Sequence, residues 1–266
     1  MLANKLQSLD DQSLIETIAL EAGKIALKHF KKEPEVWYKG ISKSPVSEAD
    51  LEIDEFLKKT LLEARPDYGW LSEETEDNSE RLSAEKVFVV DPIDGTRAFI
   101  AGTDEWCISI GIVENSKPIN GVLFAPVREK LYSAALGKGA FINGIGVDPD
   151  VVSMMLEPHR VIIPQEVAKY VRDDFVKEIE TVGGVRSLAL RIAGLIEDYA
   201  DGIYVRKNSR DWDMIAAHLI VQEAGFRLVD LDLEDVVYNK SETKHGLLIA
   251  AHPSYTGEMK DALQLT

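Results

Sequence analysis

The chain has 266 residues, 45% hydrophobic and 29% charged, with 18 Gly and 10 Pro. That is enough for one large domain or two packed halves around a sizeable core, and it excludes both low-complexity disorder and a disulfide-stapled module. The 46 acidic residues against 30 basic ones leave a net charge of −16, which opposes broad contact with a phosphate backbone, argues against nucleic acid as a partner, and suits a protein that gathers divalent cations.

The first twenty residues lack a basic region followed by a long apolar run. No segment approaches the roughly 18 uninterrupted apolar residues of a membrane span, so the expectation is a soluble, cytoplasmic chain without a membrane partner. Residues 13–30 place Leu14, Ile18, Ala22, Ile25, Ala26 and Phe30 on one helical face, with Ser13 and Glu16 in the spacing of a capping box. A second helix begins at or just after Ser47, carries Leu51, Phe56, Leu57 and Leu61, and ends before Arg65-Pro66-Asp67. Asp50 then lies in its first turn. Short apolar runs at 69–71, 87–90, 108–113, 118–124 and 130–135 read as successive strands of an antiparallel meander. The lone Cys107 sits in one of these runs, where a buried strand position fits better than a nucleophile.

From about residue 150 the pattern changes to alternating strands and helices. Strands are expected at 161–163, 202–205, 226–229 and 246–251, and helices at 166–177, from Ser187, after Asp211 and after Pro253. The fold class is therefore α/β, with α+β character in the first half. Residues 1–150 form a helix pair plus antiparallel sheet, and 151–266 form an α/β half that completes the site.

Four acidic clusters fall at element ends: Ser47-Glu48-Ala49-Asp50, Ser72-Glu73-Glu74, Asp91-Pro92-Ile93-Asp94-Gly95-Thr96 and Arg210-Asp211-Trp212-Asp213. The run 87–90 delivers Asp91 at the carboxyl end of a buried strand, Pro92 stiffens the exit, and Asp94 follows one tight turn later. Two carboxylates can so converge on one cation, and Mg²⁺, which takes oxygen ligands, could add the Ile93 carbonyl. Singly, each cluster reads as a turn, a solvated edge or a helix cap. Jointly they call for a common explanation.

Glu73-Glu74, Asp91-Pro92-Ile93-Asp94-Gly95-Thr96, and Trp212-Asp213 with Ala216-Ala217 and Glu223-Ala224-Gly225 closely resemble the signatures of the inositol monophosphatase superfamily, whose members are Mg²⁺-dependent and commonly Li⁺-sensitive phosphatases. Pro45-Val46-Ser47-Glu48-Ala49-Asp50 matches the upstream motif, and the resemblance runs from about residue 12 to 253. It implies an αβαβα sandwich of alternating layers with two or three Mg²⁺ where the halves meet. By position, Glu73, Asp91 and the Ile93 carbonyl would hold one metal, and Asp91, Asp94 and Asp213 a second. Glu74 would help place a third and joins Asp50 and Thr96 as a catalytic residue. Thr96 paired with Asp50 would orient and deprotonate the attacking water, and the backbone N–H groups of Gly95 and Thr96 would cradle phosphate.

Two departures bear on the substrate, a small-molecule phosphate ester. Inositol-specific members usually read Thr-Asn after Asp-Gly-Thr, where this chain has Arg97-Ala98-Phe99. They also carry a sugar-binding Glu shortly before Trp-Asp, where this chain offers Arg206, Lys207 and Arg210. Three cations there could hold a second phosphate, or form a solvated basic loop. The resulting lean is to a 3′(2′),5′-bisphosphate nucleotide, with Ser187 at the start of a pocket-lining helix. Alternatives are inositol 1-phosphate, histidinol phosphate, and a regulatory binding protein that kept the fold. A second copy of the chain is left open as a partner. A Ca²⁺-binding structural module is disfavoured because no EF-hand spacing occurs.

Overall fold

A computed structural model describes residues 6–32, 36–39, 44–152 and 159–264. Helix α1, Asp11–His29, buries Leu14, Ile15, Ile18, Ala22 and Ala26. It starts three residues earlier than a Ser13 cap would place it, because Asp10 caps it by accepting the Ser13 N–H at 2.7 Å, and no Ser13–Glu16 box forms. Strands β1, Val36–Lys39, and β2, Ser44–Ser47, pair antiparallel and lead into helix α2, Glu48–Ala64. Ser47 and Asp50 form the capping box of α2, with Asp50 as its third residue.

A seven-stranded sheet follows in the order β3 (Gly69–Ser72), β4 (Lys86–Asp94), β5 (Cys107–Glu114), β6 (Lys117–Ala125), β7 (Lys130–Ala135), β8 (Ala140–Ile142), β9 (Ile145–Gly146). The meander holds from β4 onward, but β3 and β4 are parallel, since the long 73–85 connection returns the chain to the start of the strand instead of reversing it as a hairpin would. Strand β4 also runs past Asp91. It pairs Asp91 with Ser109 and Asp94 with Cys107, one extra residue on its side, so the expected exit turn at Pro92 is a β-bulge within the strand. A short helix α3, Thr96–Ile100, comes next.

The second sheet contains β10 (Arg160–Ile162), β11 (Glu180–Thr181), β12 (Gly202–Val205), β13 (Arg227–Val229) and β14 (Leu248–Ala251), in the order β11-β10-β12-β14-β13. It is mixed: β14 runs antiparallel to both neighbours. The single helix expected at 166–177 is two short ones, Gln165–Ala168 and Asp173–Glu178. Between them the backbone of 170–172 bonds Ala262 and Gln264, which takes it out of the helical ladder. Helices α4 (Leu188–Ala193), α5 (Asp211–Glu223) and α6 (Pro253–Asp261) cover the faces of this sheet, and a single turn of helix at Pro149–Val152 precedes it in the chain.

Three buried clusters define five layers. Leu14, Ile18, Ile53 and Leu57 of α1 and α2 pack on Phe88, Val90, Ile108 and Ile110. The opposite face of the same sheet, through Val87 and Val89, meets α4 and α5, whose other side meets Ile203 and Val205 of the second sheet. Tyr255 and Met259 of α6 close the far face over Val161, Tyr204 and Ile249. This is the expected αβαβα sandwich. Helix α5, in the central layer, is buried on every side from Met214 to Val221, as a helix between two sheets must be. It lies close on β5 and β6, where Gly111 and Gly121 face each other across the strands. Residues on both sides of position 150 share the central core. Among the described residues no helix is long and apolar enough to cross a membrane.

Candidate active site

A cleft of about 1010 Å³ opens between the two sheets, lined among others by Glu73, Asp91, Asp94, Gly95, Thr96 and Asp213. Asp91 and Asp94 are three residues apart, a spacing that a regular strand sends to opposite faces; the bulge in β4 resets the alternation so that both line the cleft. Glu73 follows β3, and its N–H donates to the Val90 carbonyl at 3.2 Å, which draws it alongside Asp91. Asp213 arrives from the first turn of α5. Carboxylate oxygens of Glu73, Asp91 and Asp213 all lie within 4.8 Å of one another.

Burial, followed by the negative charge of Glu73, Asp94 and Asp213, pushes the Asp91 carboxyl well above the usual range. Burial, then Asp94 and Glu73, does the same to Asp213. A set of hard oxygen donors that destabilise one another's charge is the donor chemistry of a divalent-cation site, and Mg²⁺ fits it. Asp94 stands differently. Its Oδ2 accepts from Ser187 Oγ at 2.5 Å and the Ala189 N–H at 2.7 Å, and its Oδ1 from the Leu188 N–H at 3.4 Å. It lines the cleft while anchored to the start of α4, outside the three-carboxylate group. Glu74 is half-buried and neither lines the cleft nor joins that group, so the role expected for it finds no geometric support.

Asp50 is buried, and its Oδ2 accepts from the Ser47 N–H at 2.8 Å and Ser47 Oγ at 2.5 Å. Its Oδ1 faces Thr96 Oγ1 at 3.3 Å, the expected pairing, and the same hydroxyl lies 3.2 Å from the Ile93 carbonyl. Burial outweighs these bonds and raises the Asp50 carboxyl. Gly95 caps α3 at φ 99°, in the left-handed region, and a Cβ there would lie 2.7 Å from the Glu105 carbonyl oxygen. Cys107 opens β5 fully buried, as its strand context suggests, and burial pushes its thiol up.

The substrate-side expectations divide. Ser187 is wholly buried and does not line the cleft; its hydroxyl donates to Asp94 and accepts the Leu190 N–H. Arg206 does line the cleft, 3.6 Å from Glu166, but the neighbouring Lys207 does not: it stands exposed in the turn at 207–208 that follows β12. Arg210 turns away to Thr243 and stacks over Trp212. Sequence reasoning missed Arg191 as a cleft residue and gave Arg97 no such place, yet both line it, as does Arg186, which precedes α4 beside Ser187. It also missed Asp54, buried on α2, which accepts hydrogen bonds from Ser72 Oγ and, at 2.5 Å, Thr75 Oγ1, and so pins the segment carrying Glu73. The available signal was a carboxylate one turn after Asp50 on the face shared by Ile53 and Leu57.

Residues 9–264 match the family model described as Inositol monophosphatase family. Inositol monophosphatase 2 of Solanum lycopersicum is 30% identical over 227 residues, covering 80% of this chain and 84% of that protein. The 3′(2′),5′-bisphosphate nucleotidase CysQ of Haemophilus influenzae is 30% identical over 241 residues, 85% of this chain and 86% of its own. Among solved structures, the extragenic suppressor protein suhB from Bartonella henselae superimposes with a TM-score of 0.80 at 26% identity, covering 93% of this chain and 96% of that one. The match over nearly the whole chain, with the carboxylates converging in one cleft, makes this chain a member of the inositol monophosphatase family, a phosphatase that hydrolyses phosphate monoesters.

Proposed function

We propose that the chain hydrolyses a small phosphate ester carrying a second anionic group, with a bisphosphate nucleotide as the favoured substrate, and that it depends on Mg²⁺ and is inhibited by Li⁺. The observation that carries the metal dependence is the convergence of Glu73, Asp91 and Asp213. These three, with the Ile93 carbonyl and Asp94 at the rim, would hold the metal. Bound Mg²⁺ supplies positive charge that acidifies water, polarises the phosphoryl oxygens and stabilises the leaving alkoxide. Thr96 Oγ1 donates to Asp50 and offers its lone pair to the attacking water, so the proton released there passes through Thr96 to Asp50. The raised carboxyl of Asp50 is shifted in the direction such a base requires. Gly95 and Thr96 backbone N–H groups orient the phosphoryl group, and no covalent enzyme intermediate is needed.

The second anionic group has a natural seat. Arg191 and Arg206 line the same cleft; burial first, and the nearby Arg206 charge after it, disfavour the Arg191 cation, and an anion between the two offsets both effects. A reducing compartment suits the lone buried Cys107.

The test is kcat/KM with Mg²⁺ for 3′-phosphoadenosine 5′-phosphate, inositol 1-phosphate, histidinol phosphate and fructose 1,6-bisphosphate. The bisphosphate nucleotide should lead, with Arg206→Ala costing it at least tenfold and Lys207→Ala little. Inositol 1-phosphate as the best substrate, or indifference to Arg206→Ala, refutes the second-anion reading. Retained turnover in Asp91→Asn refutes the metal-site assignment.

A further inference from the structure

The loop that carries Glu73 and the helix that carries Asp213 come from opposite halves of the sequence, yet a metal site tolerates errors of only about 0.2 Å in its ligands. A polar chain built on two buried residues, Arg81 and Asp211, joins them outside the cleft lining. Arg81, 3% exposed, clasps Asp77 with Nε to Oδ1 at 2.6 Å and Nη2 to Oδ2 at 2.8 Å, which ties down the far end of the 73–77 segment. Its remaining donors cross to another loop, Nη1 to Asn239 Oδ1 at 2.5 Å and Nη2 to the Lys240 carbonyl at 2.9 Å. From there the Asn239 N–H donates to Asp211 Oδ2 at 2.8 Å. Asp211, 1% exposed, is the first residue of α5, and its other oxygen takes His245 Nε2 at 2.6 Å. Asp213 lies two residues further on.

We propose that Arg81 and His245 are positioning residues for the metal site: together with Asn239 and Asp211 they form a strut that fixes the Glu73 loop against the start of α5 and so sets the separation of Glu73 and Asp213. The inference rests on the reading of Glu73, Asp91 and Asp213 as metal ligands. Its chemistry is specific. Only a planar guanidinium fork reaches Asp77, Asn239 and Lys240 at once; a lysine keeps the charge and loses the fork. Asp211 is held from both sides, so neither oxygen is free to let the helix start rotate. Side chains that hold a ligand-bearing segment in this way are typically worth 10–100-fold in metal affinity.

The experiment is direct Mn²⁺ binding to the purified full chain by calorimetry and electron paramagnetic resonance, beside the melting temperature of the metal-free protein. Arg81→Lys, Arg81→Met and His245→Ala should each weaken Mn²⁺ binding 10–100-fold. His245→Gln, whose amide N–H reaches about as far as Nε2, should recover most of the affinity. Arg160→Lys is the control, because Arg160 makes a comparable network with Asp198 and Asp201 away from the cleft. It should lower the melting temperature without changing Mn²⁺ affinity. Affinities within twofold of wild type in Arg81→Lys and His245→Ala overturn the proposal. So does a loss that Arg160→Lys shares at equal loss of melting temperature, or a failure of His245→Gln to improve on His245→Ala. If Arg81→Lys does not fold, the paired His245 variants decide alone. Unchanged Mn²⁺ affinity in Asp91→Asn overturns instead the metal-ligand reading beneath the proposal.

Discussion

Gly121→Ala tests whether the seating of α5 on the first sheet sets the metal site. Gly121 pairs with Gly111 across β5 and β6, and α5 rests on that flat patch. A Cβ at position 121 would stand 2.8 Å from the Ala216 carbonyl oxygen and 3.0 Å from Ala216 Cα, about 0.6 Å short of the 3.4 Å at which ordinary contact begins. The obstacle is helix backbone, so no rotamer change relieves it and the helix must lift. Overpacking of this kind costs about 1–3 kcal/mol, offset by roughly 0.5–1 kcal/mol from the smaller unfolded-state entropy of alanine. A net loss of about 1–2 kcal/mol lowers Tm by roughly 2–8 °C for a chain of this size. Asp213 sits one turn before Ala216, and a lift of a few tenths of an ångström exceeds the tolerance of a coordination shell, so Mg²⁺ affinity should fall about tenfold. Scanning calorimetry of the metal-free protein followed by Mg²⁺ titration measures both. Gly257→Ala, in α6 with open space around the added methyl, is the control and should stabilise slightly without touching the metal. A Gly121→Ala protein with wild-type Tm and wild-type Mg²⁺ midpoint refutes the reasoning.

Thr96→Ala and Asp50→Asn should each lower kcat by roughly 10²–10⁴-fold, and the double variant should lose less than the product of the two; full additivity in steady-state kinetics would show that they do not act as a unit. His218 is buried in α5 with Nδ1 2.9 Å from the Tyr238 hydroxyl, and burial lowers its pKa from 6.5 to about 4. The unfolded chain therefore binds a proton that the folded one refuses between those values, and His218 makes stability fall by up to about 3 kcal/mol as pH drops from 6.5 to 4. Urea unfolding across that range should show His218→Gln with a shallower slope than wild type, by about one proton, and identical slopes would contradict the assignment.

How far the sequence could be read depended on whether the information was local. The start of α2 was legible because Ser47 and Asp50 precede an apolar stripe at capping-box spacing, whereas α1 was misplaced because Asp10 and Ser13 both qualify as caps and only packing decides between them. Strand positions were legible from apolar runs, but the parallel pairing of β3 with β4 was not, since an apolar run says nothing of its neighbour's direction. The bulge was hidden too. Asp91 and Asp94 converge by adding a residue to the strand, and the Pro92 that marks the irregularity reads equally well as an exit turn. Arg206 and Lys207 differ by one position after β12, so choosing between them required knowing where the strand ends and the turn at 207–208 begins. Arg191 and Arg81 left no local mark, because their importance arises from what tertiary closure brings beside them.

The acidic residues of this cleft are not equivalent, and the difference lies in how each carboxylate is carried. Asp50 and Asp213 are both the third residue of a helix, and each gives one oxygen to the backbone N–H of its N-cap, Ser47 and Arg210, at 2.8 Å. Asp94 reaches the start of α4 from outside and takes two of its backbone N–H groups. For these three the partial positive charge of a helix start offsets part of the cost of burying an anion. Asp91 has no helix. Its Oδ1 accepts the Ile93 N–H at 3.0 Å within the bulge, and four carboxylates surround it. It is thus the carboxylate with the most to gain from a cation, and it stands within 4.8 Å of both Glu73 and Asp213, the two that the proposed Arg81 strut positions against each other. The fold offsets Asp94 and Asp213 with backbone donors at helix starts and gives Asp91 only the Ile93 N–H of its own bulge, so the least compensated of these carboxylates stands where the two halves of the sequence meet.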